Sequence, residues 1–395
     1  MALPRITDDE RRRRIGVRQA LSAAHRLDDV TRVTEAMTVL HATEAATVHL
    51  AVAQRSEGLT PADVDTALYD DRSVVKQLAM RRTLFVFPRD LLPAAWGSAS
   101  ARVAASERTR VAKLVSGAGI AADGNAWLDA AREATLARLA DGPATTAELR
   151  AAVPELSGMV GGTTDKAYDR PTPVAPWVLT HLGLEGAVLR GHSAGHWRVN
   201  KPTWSRTEDW LGHLPDPLDE AAGYAELVRR WLATFGPGTA ADIQWWLGST
   251  KTAVSRALAD LEAEEVALDD GSSGWVLPGD VADTAPLEPW AALLPTLDPT
   301  VMGWKQRDFY LDPAHVPFLF DSNGNAGTTA WWGGRVVGCW VQDVAGAVHL
   351  SLLDDVGARG RSALDREAER LTAWLDGTVI GNVYASLQMK RARLP

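Results

Sequence analysis

The sequence predicts an α+β chain: three tandem winged-helix (helix-turn-helix) units followed by a C-terminal β-rich, barrel-like domain. Three observations carry this reading. A segment built as helix, Gly-Pro and Thr-capped helix occurs twice, at a constant offset of 94 residues. A looser third copy lies upstream of both. Beyond residue 284 the pattern turns to short apolar strands joined by glycine turns. With 395 residues, the chain has room for roughly two to four domains and for a sizeable core.

The first unit, residues 1–122, includes an N-terminal segment. Val33–Leu40, Ala45–Gln54 and Val74–Met80 read as helices, and Thr83–Phe87 as a strand ended by Pro88. The second unit, residues 123–215, has a helix stopping at Gly142-Pro143 and a short helix N-capped by Thr145. An insertion, Ser157 to Pro176, carries Gly158, Gly161, Gly162 and three prolines and reads as a loop. A helix from Trp177 to Leu184, a strand Ala187–Arg190, the turn Gly191–Gly195 and a return strand His196–Val199 complete it. The third unit, residues 216–284, repeats the order. Gly236-Pro237 ends one helix, Thr239 caps the next, and Ser249 or Thr250 caps a third, Lys251–Leu261, with Val254, Leu258 and Leu261 on one face. Val266–Leu268 and Trp275–Leu277 flank the turn Asp269–Gly274. In the last domain, residues 285–395, Gly333-Gly334 joins Thr328–Trp332 to Arg335–Val341, a strong hairpin signal. Val348–Leu353 is a further strand and Leu364–Leu375 an amphipathic helix, ahead of a basic tail containing Lys390, Arg391 and Arg393.

The formal net charge of −9 argues on average against a nucleic-acid partner, but it is unevenly spread. Arg5 to Arg32 is +3 and Arg72 to Lys113 is +7, whereas Asp216 to Glu288 is −10. Such asymmetry is itself a partner signal. Arginine outnumbers lysine 34 to 7, and arginine is the better reader of phosphates and base edges. In the +7 stretch, Arg72, Lys76, Arg81 and Arg82 fall on the expected recognition helix and wing of the first unit. Arg102, Arg108, Arg110 and Lys113 fall on the helix that follows. Phosphate neutralisation by such a cluster is the electrostatic core of DNA binding.

Other chemistries find less support. The single cysteine, Cys339, excludes a disulfide framework and a cysteine-based metal site. Gly191-His192-Ser193-Ala194-Gly195 matches the hydrolase nucleophile elbow, but that motif needs a strand-to-helix turn, and a return strand is expected here. His192 and His196 lack a suitably spaced third ligand, so no metal is expected. Neither a Walker loop nor GxGxxG is present, and no cofactor is expected. The pairs Trp245-Trp246 and Trp331-Trp332 fit core packing better than base stacking. No apolar run approaches the ~18–20 residues of a membrane span. The charged stretch Pro4–Arg14 lacks a signal-peptide h-region, so a cytoplasmic, nucleoid-associated monomer without membrane contact is expected.

Five motifs, in order, resemble one family. They are Arg13–Arg18, Leu40-His41-Ala42-Thr43-Glu44 with Ala51–Arg55, Arg81-Arg82-Thr83-Leu84, Leu293–Pro299 and Gly303–Asp308. Together they resemble the winged-helix DNA glycosylases that unhook interstrand crosslinks and bulky alkyl adducts (AlkZ/YcaQ-like). The resemblance implies double-stranded DNA carrying alkyl adducts or crosslinks as the partner. It also implies a catalytic segment at His41–Glu44, where the family's Gln-x-Gln or Gln-x-Asp pair positions the attacking water. Here both glutamines are replaced, leaving His41, Thr43 and the adjoining Glu44 as the candidate catalytic residues. An alkylated purine already carries positive charge, so the site needs chiefly to place a water and stabilise an oxocarbenium-like sugar. A neutral His41 can accept a proton or hold the water, Thr43 can donate and accept one hydrogen bond, and Glu44 can supply the carboxylate that a Gln-x-Asp site provides. The replaced glutamines keep a second reading open, a non-catalytic winged-helix DNA-binding protein such as a regulator or damage sensor. A serine hydrolase built on Ser193 is a third.

Overall fold

The computed structural model describes residues 3–161, 170–213, 216–392 and 394. The chain forms two compact units. The first comprises Met1–Val75, Phe85–Leu91 and Tyr224–Pro395, and the second Lys76–Leu84 and Leu92–Gly223.

The first unit begins with the strand Arg5–Ile6 and the helix Asp8–Arg18, whose N-cap Thr7 accepts from the Glu10 amide. This helix corrects a simple electrostatic view of its segment. Arg11, Arg12 and Arg14 are buried rather than displayed. Arg11 lies 3.5 Å over the Phe309 ring, Arg12 donates to the Phe309 carbonyl, and Arg14 binds Glu10 at 2.7 Å. The helices Val30–Ala36 and Ala45–Arg55 flank a two-residue strand, Leu40–His41. The first helix ends before Leu40 because Thr38 takes a left-handed φ of 63°, which a helix does not tolerate. A further helix, Pro61–Asp65 with a π-turn Thr66–Asp70, was not anticipated; its Thr60/Asp63 capping box and N1 proline are signals that mark it.

The expected helix Val74–Met80 is instead a strand, Val74–Leu78. It pairs with Leu84–Pro88 in a sheet, Ala79 takes a non-helical φ of −149°, and left-handed φ values at Arg72 (55°) and Arg81 (53°) bracket it. Strands Leu40–His41, Leu84–Pro88 and Val74–Leu78 form one sheet in that order, with Leu40 opposite Val86 and His41 opposite Phe85.

The same unit holds the helices Ala240–Leu247 and Lys251–Asp260, capped by Thr239 and Thr250, and the hairpin Glu264–Leu268/Ser273–Val276. Gly238 bridges to Trp275, and Arg5–Ile6 adds a parallel strand on the other edge. Of the tryptophan pair here, Trp246 is buried, and Trp245 lies 5.3 Å from the Arg307 guanidinium.

The C-terminal segment contributes the strands Ala291–Leu294, Thr329–Trp332, Arg335–Gln342 and Val348–Leu352. They make an antiparallel sheet in sequence order, and among the described residues it stays open rather than closing into the expected barrel. The helix Gly357–Leu375 packs on it through Leu364, Leu371 and Leu375. Trp331 stacks on Trp290 and Tyr310 in the core, so this pair also serves packing. A fully buried ion pair ties the sheet to the Ala45–Arg55 helix: Arg55 donates to both oxygens of Asp298, at 2.9 and 2.6 Å.

The second unit contains the helices Ala101–Gly117, Gly124–Ala140, Thr146–Ala152 and Ala175–Leu184. Ala144–Thr145, Pro202–Arg206 and Val188–Ser193 form its three-stranded sheet, in that order. The return strand is thus Pro202–Arg206, not His196–Val199. The reason lies in Trp204, which is buried and donates from its indole to the Thr146 hydroxyl, a core role Trp197 does not fill. Gly162, in the expected insertion loop, lies outside the described residues, as does Arg393 in the basic tail.

Candidate functional site

His41, Thr43 and Glu44 lie on the link between the strand Leu40–His41 and the helix Ala45–Arg55. Strand pairing fixes His41 opposite Phe85, whose ring meets the imidazole edge-on at 5.3 Å. The histidine is 6% exposed. The Thr43 amide donates toward its Nδ1 at a long 3.5 Å. Thr43 is exposed and offers a hydroxyl to solvent.

Glu44 is the N-cap residue of the Ala45–Arg55 helix, yet its side chain makes no capping bond. Its Oε1 accepts instead from the amides of Val383 (2.6 Å) and Tyr384 (3.3 Å), 339 and 340 residues away. Burial pushes its pKa above the ordinary glutamate range, and the two amides only partly offset this. Two other helices are capped differently. Thr145, after its own short strand, and Thr239 each close a capping box with an acidic residue three positions on. The helix behind Glu44 is rigidly seated. Thr47 donates to the Thr296 carbonyl at 2.8 Å, and Gln54 accepts from the Leu293 amide at 3.0 Å.

The sequence-predicted basic residues do not form one cluster. Arg72, in the first unit, donates to the Tyr69 carbonyl. The others belong to the second unit. Arg82 and Arg110 converge on the buried Glu107, at 3.0 and 3.5 Å, and both lie over the Trp177 ring, at 5.0 and 4.6 Å. Arg108 turns to Asp129 in a two-bond pair. Arg81, Arg102 and Lys113 are exposed, and Lys76 is half-buried on its strand. Three acceptor contacts thus temper the formal charge of this stretch, and the Trp177 ring packs against two of its guanidinium groups.

Ser193 sits at the end of its strand, donating to the Val199 carbonyl and accepting from the Lys201 amide. It stands on no strand-to-helix turn, so the elbow reading fails. His192 meets Trp210 edge-on at 5.4 Å, and His196 lies against Trp197. The Val383 and Tyr384 amides were not found from the sequence. No local pattern pairs a peptide group with a side chain so distant in the chain.

The family model of AlkZ-like DNA glycosylases matches residues 34–374. No curated protein sequence matches at a significant level. Among solved structures, Streptomyces sahachiroi DNA glycosylase AlkZ has a similar fold. The TM-score is 0.71 at 20% identity, over 93% of this chain and 97% of that one.

Proposed function

The chain belongs to the AlkZ-like DNA glycosylase family, and from that premise we propose a monofunctional enzyme that hydrolyses the N-glycosidic bond of bulky N7- or N3-alkylated purines or of interstrand crosslinks. The observation that carries this reading is Glu44: a half-buried carboxylate, released from helix capping and held by two amides, one residue from the exposed Thr43 and three from His41. The cationic purine leaves readily. His41 and Thr43 orient the attacking water, and the Glu44 carboxylate offsets the positive charge that develops on the sugar. No lysine lies near this motif in the sequence, the first being Lys76, and this favours a monofunctional reaction without a Schiff-base step.

The finer architecture belongs to the same proposal. Three winged-helix units, with boundaries at residues 122, 215 and 284, fit the recurring order of helix, short strand or bridge, two helices and a hairpin. Arg81, Arg82, Arg102, Arg110 and Lys113 grip phosphates, with Arg72, Lys76 and Arg108 in supporting positions. The protein acts as a monomer on damaged duplex DNA in repair or in self-resistance to a DNA-alkylating toxin. Among the described residues no helix is long and apolar enough to cross a membrane.

The test incubates the protein with a duplex bearing a bulky N7-alkylguanine and reveals abasic sites by alkaline cleavage. Wild type releases the base, and His41→Ala and Glu44→Gln slow release by about 10²-fold or more. Tight binding with no base release above background by wild type supports the damage-sensor reading, which the two replaced glutamines favour.

A further inference from the structure

The C-terminal segment Thr378–Arg391 is fixed along its length by side-chain hydrogen bonds. Gln342 bonds both the Thr378 carbonyl (3.0 Å) and the Ile380 amide (2.9 Å). Asn382 accepts from Thr296 at 2.9 Å, Glu44 holds the next two amides, and the buried Ser386 caps the helix Leu387–Arg391. At the centre of this anchored stretch, Val383 is 82% exposed.

A single exposed valine ordinarily means nothing. This one differs because its own N–H is bonded to Glu44, so its side chain is displayed beside the proposed reactive carboxylate on a fixed backbone. Valine is stiff at χ1, so presenting it sacrifices little entropy when something packs on it. Seven and eight residues on, Lys390 and Arg391 are exposed on the same segment, a charge sign that suits a polyanion. Apolar side chains that proteins insert beside bases are of this kind, rigid and flanked by phosphate-binding cations.

We propose that Val383 is a DNA-contacting residue that wedges against the damaged nucleotide beside Glu44, while Lys390 and Arg391 hold the flanking phosphates. The proposal rests on the reading of Glu44 as part of the reactive site. The wedge locally unstacks the nucleotide and turns its C1′ toward the water held by His41 and Thr43. Specificity follows, because a bulky adduct already weakens stacking and lowers the cost of insertion.

The experiment uses the full chain and a duplex carrying a bulky N7-alkylguanine with 2-aminopurine as the neighbouring base. Wild-type binding raises 2-aminopurine fluorescence about twofold or more as the step unstacks. Val383→Ala loses most of that rise. Val383→Asp abolishes it and slows single-turnover base release by about 10-fold or more at saturating protein. The Lys390→Ala/Arg391→Ala double variant lowers the slope of log affinity against log salt by about 2. Absence of a fluorescence rise with wild type, or a rise kept by both Val383 variants, overturns the proposal. A Val383-dependent rise without base release by wild type keeps the contact and removes the catalytic reading instead.

Discussion

The Arg55–Asp298 pair gives the sharpest test of what seats the candidate site. Both side chains are wholly inaccessible to solvent. Arg55 Nη1 donates to Asp298 and the Ala51 carbonyl, and Nη2 to Asp298 and Thr300. Asp298 also accepts from the Thr300 amide, and Thr300 donates to Gln19. Asp298→Ala strands a buried guanidinium and leaves the Thr300 amide unpaired. Breaking one side of such a pair costs about 3–5 kcal/mol. If the helix opens as a unit, its amides exchange roughly 10²- to several 10³-fold faster, at about 1.4 kcal/mol per factor of ten. The assay is hydrogen exchange across Ala45–Arg55, read by mass spectrometry at neutral pH. The double variant Arg55→Met/Asp298→Asn removes both charges and recovers much of the loss, because the penalty is for an uncompensated charge rather than for the absent attraction. Exchange in Asp298→Ala within threefold of wild type, or a double variant as labile as the sum of the singles, refutes the reasoning.

Glu44 has a folded pKa above the ordinary glutamate value of 4.5. Its ionisation therefore opposes folding: the penalty is absent below the unfolded pKa and is fully present above the raised folded one. Urea melts of Glu44→Gln against wild type show the variant gaining relative stability as pH rises through that window, and base release by wild type loses rate at a pH higher than an ordinary carboxylate dictates. Arg82→Ala weakens duplex binding equally on damaged and undamaged DNA and reduces the salt slope by about 1, measured by fluorescence anisotropy. Asp242→Ala removes a buried carboxylate that accepts from the Thr239 amide and hydroxyl and from the Lys305 and Gln306 amides. It lowers stability by about 2–4 kcal/mol in urea melts, with Asp242→Asn less damaging.

Local signals carried much of the architecture. Thr145, Thr239 and Thr250 cap the helices expected of them, and Gly333-Gly334 turns the expected hairpin. The errors fall where local pattern is ambiguous. Val74, Val75 and Leu78 satisfy a helical face and a buried strand equally, and it is pairing with Leu84–Pro88, across the left-handed turn at Arg81, that decides between them. Arg81 is not a glycine, so nothing in the residue type announces the turn. The return strand was misplaced because Trp197 and Trp204 offer the same apolar signal, and only tertiary contact with Thr146 separates them. Charge was legible as a sum but not as a surface. Arg11, Arg12 and Arg14 count toward a basic N-terminus while bonding inward, and Glu107 absorbs part of the +7 stretch.

A departure from capping rules singles out Glu44. Thr145 and Thr239 each open a helix by closing a box with Glu148 or Asp242, an arrangement for which loss of the cap costs about 1 kcal/mol. The Ala45–Arg55 helix opens instead at Glu44, with no side-chain capping bond. The carboxylate is also partly desolvated, which further disfavours it. Packing does not require this, since a threonine at the same position would satisfy the helix as it does twice elsewhere. Stability forgone at one position, while the surrounding helix is pinned by Thr47, Gln54 and Arg55, is the pattern expected where a group is held for chemistry. Glu44→Thr therefore separates the two demands: it restores a cap, keeps or raises the stability of the fold, and abolishes base release. A variant that gains stability while releasing base at the wild-type rate assigns Glu44 to the scaffold alone.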